Sequence, residues 1–345
     1  MAEHQKEITT ELSSVGHDSV EQFAFEVLQD SLKSVRKSLG RAAKLWEKNP
    51  EYIHHLRVSG RRALAAIGLF AELIPASDAK WFRKTLKSIH AAAGKARDLD
   101  VFVHDQLPHC GHAARKLGRV WRKQRTECQK PIVRLSKKLR KRDGLKYHIR
   151  TLIESQERAT ASECTANVVS CGQWAESRIL DHSRRFFAAI PADADAQALH
   201  SLRIRTKQFR YTIELLQPAL ESMSEAQCPS VPPSTESLIS SHGGEPLVSR
   251  QPFGSDLGRS ADVRISEALT HLEQLQKQLG ALQDDVVARE RFQKSLKYLD
   301  KSPDQKNIRR LIEKADGKIA KRIEHLRFWS ESDACQQFRS CFEPG

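Results

Sequence analysis

Two segments, HHLRVSGRRALAAIGLF at 54–70 and HSLRIRTKQFRYTIELL at 200–216, restrict what this chain can fold into more than any other feature. Aligned at a constant offset of 146, they pair His54 with His200, Arg57 with Arg203, Arg61 with Lys207 and Ile67 with Ile213. A second pair, LKSIHAAAGKARDLDV at 86–101 and LEQLQKQLGALQDDVV at 272–287, matches Gly94 with Gly280 and Asp98 with Asp284 at an offset of 186. The halves share one plan, and the 40 additional residues fall between two helices of the second copy.

Every strong periodic signal in the chain is helical. From Asp18 onward, Phe23, Val27, Leu28, Leu32, Val35 and Leu39 recur at helical spacing, and no period-2 alternation is sustained. The same pattern predicts helices over roughly 51–73, 78–107, 112–142, 145–161, 171–189, 197–220, 262–299 and 305–329, separated by breakers such as NPE, IPAS, LPHCG, IPADAD and KSPD. The expected class is all-α, built as antiparallel bundles of long helices joined by short turns. Residues 221–262 break the pattern: Ser, Pro and Gly accumulate, six acids stand against two arginines, and a disordered insertion is expected.

At about 100° per residue, Arg57 and Arg61 lie within roughly 60° of His54, opposite Leu56, Ala63, Ile67 and Phe70. His200, Arg203, Lys207 and Arg210 form the same stripe opposite Leu202, Phe209, Ile213 and Leu216. A solvated helix face ordinarily interleaves acids with its cations; these rows contain none until Glu214. Stacked like charges repel, and an anion that neutralises them is the economical explanation. His55 points about 100° away from His54, toward the side of Arg62, so His54 is the better member of the row.

Other helices add cations. Residues 112–146 carry fourteen Lys and Arg, among them Arg115, Arg119 and Arg122, against two acids. Arg36, Lys37, Arg41, Lys44 and Lys48, and farther on Arg83, Lys84 and Lys87, are candidates to face the same ligand. The formal net charge of +14 favours a polyanionic partner: nucleic acid, polyphosphate or an anionic membrane surface. Seven cysteines without any C-x-x-C suit unpaired thiols in a reducing compartment rather than a zinc site. No basic n-region with an apolar core opens the chain, and no stretch of about 18 apolar residues occurs, so a soluble cytoplasmic protein with no membrane partner is expected.

At IHHLRVSGRR, AAAGKARDLDV, LHSLRIRTKQFRY and LGALQDDVV the sequence resembles the CHAD family, the conserved histidine α-helical domain. The four blocks stand in the family's order. The resemblance implies two pseudo-symmetric four-helix bundles, about 18–160 and 171–335, behind a flexible tail at 1–17. It also implies a basic groove or pore between the bundles that binds inorganic polyphosphate, and in some relatives association with polyphosphate granules. Carried over, the motif falls on His54, Arg57, Arg61 and Arg62, and on His200, Arg203, Lys207 and Arg210. Lys87, Arg115, Arg119 and Arg122 extend the expected polyphosphate-binding set. Leu64 and Gln208 stand where the family pattern often has a further basic residue.

A linear polyphosphate is a dense string of anions whose receptor needs Arg and Lys donors along a track. The expected rows of two halves facing one groove, Arg57 and Arg61 opposite Arg203 and Lys207, supply one. Single-stranded nucleic acid calls for aromatic stacking platforms, whereas only 6% of residues are aromatic and Phe70 and Phe209 fall on apolar faces. Duplex binding through 112–146 is the alternative. An enzyme ranks third: no G-x-x-x-x-G-K-[ST] loop and no paired Glu motif of a triphosphatase tunnel is present, and no cofactor is expected. Asp98 and Asp284 are expected to pair with neighbouring cations or to cap a helix.

Overall fold

The computed structural model describes residues 19–141, 144–160, 170–192, 195–226, 256–299 and 303–342. The expected tail and the greater part of the expected insertion lie outside them. Among the described residues the structure is all-α, without a strand. The helices are α1 (Val20–Leu45), α2 (Glu51–Leu69), α3 (Ala76–Val101), α4 (Ala113–Leu139), α5 (Leu145–Thr160), α6 (Cys171–Phe187), α7 (Ala196–Ala226), α8 (Asp256–Ser295), α9 (Pro303–Arg327) and α10 (Asp333–Ser340). Both helices that flank the insertion run into it, α7 to Ala226 and α8 from Asp256. None of the helices is long and apolar enough to cross a membrane, within the described residues.

Local chemistry sets the helix ends. The Ser19 side chain accepts a hydrogen bond from the Gln22 backbone N–H, which caps α1, and Ser170 with Gln173 forms a capping box at α6. Gly111 turns the chain into α4 at φ 58°, a conformation that an L side chain rarely adopts. Pro131 and Pro218 sit inside α4 and α7 rather than between elements.

Consecutive helices pack side by side: α1 on α2, α2 on α3 and α3 on α4 in the first half, then α6 on α7, α7 on α8 and α8 on α9 in the second. Helix α1 also meets α4, which closes the first bundle. The five-residue connection between α1 and α2 leaves room only for an antiparallel reversal. Paired side chains show the same sense for α2 and α3, where Glu51 meets Arg97 and Ile67 meets Arg83. On α7 and α8, His200 meets Gln283 and Arg210 meets Glu273, again with numbering running in opposite directions.

The halves share their core. Phe70, at the end of α2, stacks on Trp174 of α6 at 5.7 Å, and the main cluster continues from Phe23 to Cys341. A second cluster joins the far end, with Phe102 set edge-on against Trp121 of α4 and Phe292 of α8. Each such aromatic side chain, fully removed from water, contributes about 1.5–3 kcal/mol. Between these two joints, α2 lies directly against α7. Cys110 and Cys171 are buried and unpaired, and burial raises both thiols to about 11.

Candidate functional site

Helix α2 buries Ile53, Leu56, Ala63 and Ile67, and α7 buries Leu202, Phe209, Ile213 and Leu216. The remaining arc of each helix carries the cations, so packing α2 on α7 brings the basic rows together. Arg57 and Arg61 on α2 lie close enough to Arg203 and Lys207 on α7 for each row to perturb the titration of the other.

Two further helices wall the cluster. Arg57 Nη1 stands 3.9 Å from Asp98 Oδ1 on α3. It reaches that position across Gly94, where a Cβ would come within 2.8 Å of the same nitrogen. On α8, Asp284 faces Arg203 and Lys207. Positions matched by the sequence offsets are thus neighbours in both halves: Arg57 forms an ion pair with Asp98, and Arg203 feels the charge of Asp284. The correspondence extends to the histidines: His54 feels the charge of Arg97, and His200 Nδ1 lies 2.7 Å from Oε1 of Gln283, the residue aligned with Arg97.

Burial dominates the electrostatics. It lowers the pKa of Arg57 and Arg203, with Arg61 adding to the effect and the facing carboxylates opposing it. For Lys207, burial followed by Arg203, Arg61 and Arg57 brings the ammonium down to about 7. His90, one turn before Gly94 on α3, is lowered to about 4 by burial and by Arg57, Arg61 and Lys207. Asp284 moves the other way, raised by burial against the pull of Arg203 and Lys207.

Three helices also aim unsatisfied nitrogens into this region. Arg61 Nε on α2, His90 Nε2 on α3 and Arg203 Nε on α7 are closed off from solvent and lack a hydrogen-bond partner. Buried polar groups are nearly always paired, because leaving one unpaired costs about 1–3 kcal/mol. Four half-buried cations and three orphaned nitrogens thus gather where α2, α3 and α7 meet.

The expected residues do not all share this environment. Arg57, Arg61, Arg203 and Lys207 come together as expected. His54 is half-buried at the start of α2, beside Glu51, Arg97 and His55, and burial with Arg97 lowers its pKa. Arg62 is half-buried on the flank of α2. Arg210 is held by two carboxylates, Nε at 2.6 Å from Glu214 and Nη2 at 2.9 Å from Glu273. Lys87 is exposed but shares the α3 face of His90, Gly94 and Asp98. Arg115, Arg119 and Arg122 are exposed along the first half of α4. Arg125 in the same basic run is instead a buried structural residue, paired with Asp100 at 2.5 Å and stacked over Trp46. Asp98 pairs with Arg57 and Asp284 lies near Arg203 and Lys207, both inside helices, α3 and α8, so neither caps a helix.

His90 and Arg97 were absent from the sequence-derived set. Their one available signal was spacing: His90 lies four residues before Gly94 and eight before Asp98, both already marked by the repeat. Among the described residues, no three His, Cys, Asp or Glu side chains gather as a metal site.

A sequence model of the CHAD domain matches residues 25–230. No curated protein matches the chain. The crystal structure of the CHAD domain from the plant Ricinus communis superposes with a TM-score of 0.57 at 17% identity, covering 96% of this chain and 94% of that one. PptA from Streptomyces chartreusis gives a looser likeness, TM-score 0.45 at 13% identity over 93% of this chain and 99% of its own, and adds nothing to the fold. With four sequence blocks in order, more than half of the chain matched and the helical architecture shared with a solved domain, the chain belongs to the CHAD domain family.

Proposed function

We propose that this chain binds inorganic polyphosphate in the cleft where α2 meets α7, with Arg57, Arg61, Arg203 and Lys207 as the central contacts and His90 at its α3 wall. The observation that carries this reading is the set of orphaned nitrogens, Arg61 Nε, Arg203 Nε and His90 Nε2, converging from three helices on mutually repelling cations. Holding those cations together without a counter-ion is unfavourable, and phosphoryl oxygens would both neutralise them and satisfy the donors. His54, His200, Arg62 and Lys87 flank the same helix faces and would extend the track.

The chain acts, on this reading, as a binding module without chemistry of its own. Asp98 and Asp284, the two carboxylates in the cluster, are each opposed by an arginine, which supports binding rather than general-base work there. Such a protein would be carried to polyphosphate granules in a cytoplasm by its ligand.

Titration with polyphosphate, duplex DNA and single-stranded RNA at matched phosphate concentration and salt tests the ligand class. Polyphosphate should bind most tightly, with affinity falling as salt rises. Equal or tighter binding of DNA would transfer the function to nucleic acid.

A further inference from the structure

The cations of α1 belong to a different place from the cleft. Lys33, Arg36, Lys37, Arg41 and Lys44 lie along its outer face, while Leu32, Val35, Leu39 and Ala42 turn into the core. Opposite them, the end of α4 contributes Arg140 and Ser136. Together they border a cavity of about 830 Å³, and no residue of α2, α3 or α7 lines it.

Its chemistry is nearly all of one sign. Six cations line the cavity against one carboxylate, Asp30, among the described residues. Among the described residues, Arg36, Lys37, Arg41, Lys44 and Arg140 make no ion pair, and Lys33 bonds only to the Gln29 amide oxygen. Elsewhere some surface cations are neutralised, as Arg178 is by Glu72 and Arg184 by Asp181; here, among the described residues, six unneutralised cations share one cavity. From Lys33 to Lys44 the row rises about 16 Å along α1, at about 1.5 Å per residue. A single phosphate meets two or three such groups, whereas a phosphate chain meets the whole row. Among the described residues no aromatic side chain lines the cavity, and nothing there offers the stacking platform that bases use.

We infer that the groove between α1 and the C-terminal end of α4 is a second binding site for a base-free phosphate chain, separate from the α2–α7 cleft. The ligand's identity rests on the polyphosphate reading, but the groove and its charges do not. Exposed cations are screened by salt more than the half-buried ones of the cleft, so this site is the weaker and the more salt-sensitive of the two.

The test is calorimetric titration with inorganic polyphosphate of one defined short length, at low and at physiological salt. Three proteins are compared: the wild type, a groove variant (Arg36→Ala, Arg41→Ala, Lys44→Ala) and a cleft variant (Arg57→Ala, Arg203→Ala). The groove substitutions are all at exposed positions, and far-UV circular dichroism verifies that the fold is retained. The wild type should show two classes of site, the weaker disappearing at physiological salt. The groove variant should keep only the tight class, and the cleft variant only the weak one. If the cleft variant loses all binding and the groove variant loses none, the second site does not exist while the cleft reading stands. If the groove variant alone loses binding, the groove stands and the cleft reading falls. Duplex DNA that binds the groove more tightly than polyphosphate of equal charge would overturn its assignment to a base-free chain.

Discussion

Lys207 makes polyphosphate affinity depend on pH in a way that can be worked out from its surroundings. The groups facing it are Arg203 on its own helix, Arg57 and Arg61 on α2, His90 on α3 and Asp284 on α8. Burial and the three arginines bring its ammonium to about 7 in the free protein. It is then about nine-tenths protonated at pH 6 and about one-tenth at pH 8. A bound polyanion favours the charged form and returns the pKa toward the ordinary lysine value. At pH 8 binding must therefore take up most of a proton, at a cost of about 1.4 kcal/mol, while at pH 6 the cost nearly vanishes. Affinity should fall about tenfold from pH 6 to pH 8 through this group alone. Lys207→Arg keeps the charge at all these values and should remove that component. Terminal phosphates of the ligand also titrate in this window, but they do so equally with both proteins. The assay is equilibrium titration at constant ionic strength across pH 6 to 8. Parallel pH profiles for the wild type and Lys207→Arg would refute the reasoning.

Two further outcomes follow from the same cluster. An unfolded lysine holds its proton up to about 10.4 while native Lys207 releases it near 7, so the unfolded chain binds more protons in between and the stability contributed by this group rises with pH. Lys207→Met should accordingly raise the urea midpoint of the ligand-free protein at pH 7 and flatten the rise toward pH 8.5; an unchanged or lower midpoint would count against the strained cluster. Arg210→Ala should lower stability by about 1 kcal/mol through loss of the pairs with Glu214 and Glu273, yet change polyphosphate affinity less than Arg203→Ala does.

Much of this arrangement is legible in the sequence because helical spacing fixes which residues share a face. The apolar positions Leu56, Ala63 and Ile67, and Leu202, Phe209 and Ile213, leave only one arc for the cations, and the packing of α2 on α7 sets the two arcs toward each other. Which faces share a cleft is not written in that spacing. Arg36, Lys37, Arg41 and Lys44 have the same periodic look as the central rows, but α1 turns them to the α4 side of its bundle. His90 stands beside an alanine-rich stretch, and it joins the cluster where Arg57 lies across α3 at Gly94. Arg210 reads as one more stripe cation until α8 brings Glu273 beside it, a contact between residues 63 positions apart.

The central claim is that one phosphate chain is held by both halves at once, and single substitutions on opposite helices test it most directly. Polyphosphate is titrated into the wild type, Arg61→Ala and Arg203→Ala at fixed pH and salt, with the tight class of site followed. Each arginine supplies charge-assisted hydrogen bonds of about 1.5–3 kcal/mol, so each substitution alone should weaken that class by about tenfold or more while its stoichiometry stays at one chain segment per protein. A full loss of affinity in one variant with wild-type affinity in the other would place the ligand on a single half and contradict the account.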